Sequence, residues 1–88
     1  MNIIKKDTRV EKFEVEKLER SIKNSAKDIG FELNSSDVKL ISTEVLKKLN
    51  LIHGNVGTTN SYEVIGVTIE ILKENKFDII VPSYLTLI

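Results

Sequence analysis

Three charged side chains near the N-terminus, Lys5, Glu11 and Lys17, could share one recognition task. A lysine ammonium is a compact point charge that suits a phosphate. A helix N-terminus next to it adds a favourable dipole and free amides. An ionised carboxylate only accepts hydrogen bonds, so Glu11 would favour the adenine edge, which offers an amine, over guanine, which offers a carbonyl oxygen. Ile3, Phe13 and Leu18 lie among these residues and could wall a base. Together they describe a pocket for a nucleotide. Each also has a plainer reading. On composition alone Lys5 and Lys17 are ordinary solvated lysines. Glu11 could instead pair with Lys5 across strands, worth at most ~1 kcal/mol. Ile3, Phe13 and Leu18 could be core beneath a hairpin.

The elements that would position these groups are a short hairpin and the helix that follows it. Strands are predicted at 3–4 and 10–13 with turn chemistry between them. A two-residue turn at Asp7-Thr8 would pair Lys5 with Val10. A three-residue turn, Asp7-Thr8-Arg9, pairs Lys5 with Glu11 and Ile3 with Phe13, and is the expected one. It puts Ile3, Lys5, Glu11 and Phe13 on one face and Ile4, Lys6, Val10 and Lys12 on the other. A first helix is predicted over 15–29, with Val15, Leu18, Ile22, Ala26 and Ile29 as its apolar stripe and Gly30 as its stop. Glu14 is a poor N-cap, because shorter polar side chains reach the free amides better.

A cluster of capping residues, Asn34-Ser35-Ser36-Asp37, opens a second helix that runs to about residue 51. Its buried stripe is Val38, Ile41, Val45, Leu49 and Ile52. Residues 53–60 read as a polar, glycine-containing loop, with His53 a loop histidine of no special task. Asn60 or Ser61 caps a third helix to about residue 75, with Asn60 and Glu63 at capping-box spacing. Val64, Val67, Thr68, Ile71 and Leu72 form its stripe. In the tail, Ile79 to Val81 have strand propensity, while Pro82 suits a first helical turn.

The pattern I-x-K-[KR]-D-x-x-x-E-x-[FI]-x-x-x-K-[LI], matched by Ile3, Lys5, Asp7, Glu11, Phe13, Lys17 and Leu18, resembles the opening signature of the ATP-cone. That module senses nucleotides in many ribonucleotide reductases and in the repressor of their genes. Lys6 stands in place of a common Arg, Thr8 in place of the usual turn glycine, and Glu14 in place of Asp or Asn. Ser83 stands where an Arg is frequent before the tyrosine of the last helix. The resemblance implies an α+β, mostly α fold: an N-terminal β-hairpin capping a bundle of about four helices, with the tail a last helix packed through Tyr84. It implies a nucleotide site at Ile3, Lys5, Lys6, Glu11, Phe13, Glu14, Lys17, Leu18 and Ser61, although Ser61 also serves as a structural cap. The implied effector is ATP or dATP, bound with Mg²⁺ and not hydrolysed. Binding is expected to control self-association or a protein partner such as a ribonucleotide reductase. The alternative is a degenerate cone that has kept the scaffold as a protein–protein interaction module.

The totals fit this scale. With 88 residues the chain is expected to form one domain, 1–88, whose small core is worth roughly 3–5 kcal/mol net. Lys plus Arg and Asp plus Glu both number 13, so the basic excess expected of a nucleic-acid or membrane-surface protein is missing. No cysteine is present and His53 is the single histidine, which removes disulfides, thiolate metal sites and multi-histidine sites. No run of residues is apolar enough for a signal peptide or a membrane span, and a soluble cytoplasmic protein is expected. No nucleophile is arranged with a base and an orienting acid, and no catalysis is expected.

Overall fold

A computed structural model of the protein describes residues 1–54 and 56–88. Strands β1 (Asn2–Ile4) and β2 (Val10–Lys12) form an antiparallel hairpin. Helices α1 (Val15–Asp28) and α2 (Ser35–His53) follow. Then come β3 (Thr58–Asn60) and α3 (Ser61–Glu74). A 3-10 turn (Asp78–Ile80) leads into α4 (Val81–Leu87). The fold is α+β and mostly α, as expected.

The hairpin register differs from both expected ones: Ile3 faces Glu11 and Ile4 faces Val10. The loop is Lys6-Asp7-Thr8, closed by the Lys5 amide donating to the Arg9 carbonyl (2.7 Å) and the Thr8 amide to the Lys5 carbonyl (2.9 Å). Thr8 takes the left-handed conformation, φ 71°, which completes a three-residue hairpin loop. Asp7 holds the turn by accepting the Arg9 amide at 3.2 Å, an Asx turn. The cross-strand pairs Lys5–Glu11 and Ile3–Phe13 are therefore not formed. The face assignment survives, because moving the turn back by one residue shifts the pairing by two, which preserves the alternation. Ile3 is buried, Lys5, Glu11 and Phe13 are half-buried, and Ile4, Lys6, Val10 and Lys12 are exposed.

A third strand was not expected. β3 pairs in parallel with β1, Ile3 opposite Thr59, so the sheet order is β2-β1-β3. This replaces part of the predicted loop 53–60, of which Asn55 lies outside the described residues.

The helices follow their stripes closely. Leu18, Ile22, Ala26, Val38, Ile41, Val45 and Leu49 are buried, as are all five residues of the α3 stripe. Three stripe residues are not: Val15, in the first turn of α1, is half-buried, and two more lie at helix ends. Ile29 is 42% exposed because it has already left helical geometry as the C-cap of α1. Ile52 is 52% exposed, in the last turn of a 19-residue α2 that outruns the 14-residue α1 and α3. Gly30, at φ 67°, ends α1, and the Phe31 amide returns to the Ala26 carbonyl, a Schellman closure. Asn34 caps α2 by accepting the Asp37 amide at 2.8 Å.

The tail is helical, not a strand. α4 packs chiefly on α1, and α2 on α3. Ile80 and Tyr84 enter the core at 0% and 2% exposure. Buried polar groups are paired across the elements: the Ser42 hydroxyl donates to Glu19 (2.7 Å) and the Ser83 hydroxyl to Asp28 (2.9 Å). Among the described residues no buried side-chain nitrogen or oxygen lacks a partner, which spares the desolvation penalty of an unmet polar group.

Candidate functional site

The inner face of the hairpin, the start of α1, the start of α3 and the end of the tail enclose a cleft of about 180 Å³. Its sides are a product of local structure. Ile3 and Phe13 face inward by strand alternation. Lys17, Leu18 and Ser21 share one face of α1, and Ser61, Val64 and Ile65 one face of α3. Tyr84 and Ile88 come from the tail, and Lys5, Lys6, Lys12 and Glu14 also border the cleft. A second, shallower depression continues from it, lined by Lys5, Lys6, Asp7, Arg9, Glu11, Lys17 and Ser61.

All nine residues proposed from the sequence thus lie together, eight along the cleft and Glu11 in the depression beside it. Four of them, Lys5, Lys6, Lys17 and Ser61, border both. Lys12, Ser21, Val64, Ile65, Tyr84 and Ile88 were not among them. Ser21 and Ile65 had a readable signal, each lying four residues beyond a proposed residue on the same helix face.

Charge within the site is arranged differently from the expectation. Glu11 pairs with Arg9 (3.5 Å) and Lys17 (3.9 Å), not with Lys5. Lys17 also meets Glu14 at 3.1 Å. Glu14 sits at the N-cap of α1 but makes no capping hydrogen bond, as its extra methylene led us to expect. The Arg9 amide, and then its guanidinium at 2.6 Å, hold the Asp7 carboxyl below its ordinary range. Burial pushes the Tyr84 hydroxyl up, partly offset by its hydrogen bond with Thr68.

Ser61 is not the cap of α3. Asn60 is, accepting the Glu63 amide at 2.9 Å. The Ser61 hydroxyl is instead at the cleft and donates to the Ile4 carbonyl at 3.4 Å. His53 is not a loop residue either. It closes α2, and its Nε2 lies 2.5 Å from Glu63 Oε1, which also accepts the Thr59 hydroxyl at 2.6 Å. The Thr59 bond, aided by His53, holds the Glu63 carboxyl below its ordinary value. This trio fastens β3 to the ends of α2 and α3, and so holds the sheet over the bundle.

The site is thus an apolar cleft under a small sheet, opening onto a lysine-bearing rim with no histidine or cysteine in its lining, an arrangement that can receive an anionic ligand with an apolar part. The family model described as ATP cone domain matches residues 1–86, and the chain belongs to the ATP-cone family, whose members are non-catalytic regulatory domains that bind ATP or dATP as effectors. No curated protein matches the chain.

Proposed function

We propose that this protein is an adenine-nucleotide sensor that binds ATP or dATP without hydrolysing it. The observation that carries this is the convergence of Lys5, Lys6 and Lys17 on the rim shared by an apolar cleft and an open depression. At about 180 Å³ the cleft is smaller than the roughly 300–1,000 Å³ of enclosed small-molecule sites. It suits a base, with Ile3, Phe13 and Leu18 as its walls, while the phosphates lie in the depression near Lys5, Lys6, Lys17 and Ser61. Glu11, in the depression beside the cleft, is the acceptor offered to the adenine amine. Mg²⁺ travels with the triphosphate, held mainly by phosphate oxygens and water. Among the described residues no cluster of three acids or histidines stands ready to hold it alone.

The hairpin acts as a lid that ligand binding orders over the bundle. The change alters a surface used for self-association or for a protein partner such as a ribonucleotide reductase. The working place is the cytoplasm. Among the described residues no helix is long and apolar enough to cross a membrane.

Melting with ATP, dATP or GTP tests this. At a thousandfold excess over the dissociation constant, ATP and dATP should add about 4 kcal/mol of stability, and GTP clearly less. Lys5→Ala and Lys17→Ala should abolish that shift while changing the unliganded protein by no more than about 0.5 kcal/mol. No shift with any nucleotide favours the degenerate interaction module.

A further inference from the structure

Of the cations around the cleft and the depression, Lys17 and Arg9 already hold carboxylates, whereas Lys5, Lys6 and Lys12 make no ion pair among the described residues. The closest partner of Lys17 is Glu14, at 3.1 Å; Glu11 is farther, at 3.9 Å, and is shared with Arg9. Glu14 is available because, among the described residues, its side chain makes no other hydrogen bond or ion pair. It occupies the N-cap position at φ −112°, ψ 109°, yet its side chain bonds no amide of α1. A carboxylate one methylene too long to cap reaches the next turn instead. It thereby sits on the wall of the cleft and neutralises an ammonium that also faces the depression.

We propose that Glu14 is a built-in competitor for phosphate: it occupies Lys17 in the empty site, and a polyphosphate has to displace it. This rests on the cleft being the nucleotide site. Both partners are about half exposed, 53% for Lys17 and 51% for Glu14, so the pair is weak and opens readily. Its loss, and the repulsion between the displaced carboxylate and the phosphates, lower affinity by about five-fold. A sensor gains from this, because a ligand that exchanges can report a changing concentration.

The test is calorimetry on the full chain, on Glu14→Gln and on Glu16→Gln, with ATP, adenosine and inorganic tripolyphosphate at low and high salt. Glu16 is exposed on the same helix turn but does not line the cleft, so its variant changes net charge equally. Glu14→Gln should bind ATP and tripolyphosphate about five-fold tighter at low salt, with the gain shrinking as salt screens it. Adenosine should bind all three proteins alike, and Glu16→Gln should resemble the parent. Polyphosphate binding that is unchanged or weaker in Glu14→Gln overturns the proposal, even if ATP binds the parent well. If tripolyphosphate gains from the variant while adenine compounds bind no protein, the nucleotide assignment fails and the competition stands.

Discussion

At the scale of single residues, Thr8 is the one whose backbone is least at ease. A β-branched side chain at φ 71° bears a cost that glycine does not, about 1–2 kcal/mol for the left-handed region. Part of this is returned by the flexibility glycine adds to the unfolded chain. Thr8→Gly should therefore raise stability by about 1 kcal/mol, seen as a melting temperature some 4–8 °C higher. A fall would mean that the Thr8 hydroxyl, which donates to the Asp7 carbonyl at 2.5 Å, matters more than the backbone. Thr8 also explains why the register was not legible. Nothing in its type announces a left-handed conformation, so the turn was placed one residue late. Which side chains face inward was legible all the same, because that depends only on alternation. Ile3, Lys5, Glu11 and Phe13 share the expected face for this reason, although their cross-strand partners differ from the expected ones.

At the scale of elements, helices were legible and the short strand was not. Each long helix carries an apolar stripe that can be read directly, with Gly30 marking the end of α1 and Asn34 and Asn60 capping α2 and α3, and only Val15, Ile29 and Ile52, at the helix ends, lie outside the core. Thr58-Thr59-Asn60 has no such pattern. It becomes a strand because β1 offers its open edge and because the Thr59 side chain, 1% exposed, bonds Glu63. Glu63→Ala should loosen that fastening at a cost of about 1–2 kcal/mol, measured by denaturant unfolding. The pH dependence has a definite sign. The folded state holds Glu63 below its ordinary value of 4.5, so the native state prefers the carboxylate more than the unfolded chain does. The stability this supplies is present above about pH 4.5 and is lost as pH falls through the lower, folded value. Melting temperature should drop on acidification in that window, and Glu63→Gln should flatten the drop.

At the scale of the whole molecule, both ends of the sequence meet at the cleft. The tail supplies two of its lining residues, Tyr84 and Ile88, and two fully packed core residues, Ile80 and Tyr84. Deleting residues 78–88 removes both core side chains, each worth roughly 2–5 kcal/mol. That approaches or exceeds the roughly 3–5 kcal/mol that a core of this size leaves in hand. The shortened chain should lose its cooperative melt, as followed by circular dichroism. Pro82 and the family resemblance pointed to this helix, but strand propensity at Ile79 to Val81 pointed away from it. Tertiary packing of Ile80 and Tyr84 against α1 and α3 decides the outcome, as it often does for short apolar segments.

The parallel pairing of β1 with β3 has a kinetic side. Ser61 meets the Ile4 carbonyl across 57 residues of sequence, while the hairpin closes across a loop of three. During synthesis the ribbon and α1 can form as soon as they leave the ribosome, but the opposite wall arrives only with the last third of the chain. Long closures of this kind are slow to nucleate. The cleft, which Tyr84 and Ile88 help to line, is therefore complete only once α4 has been made.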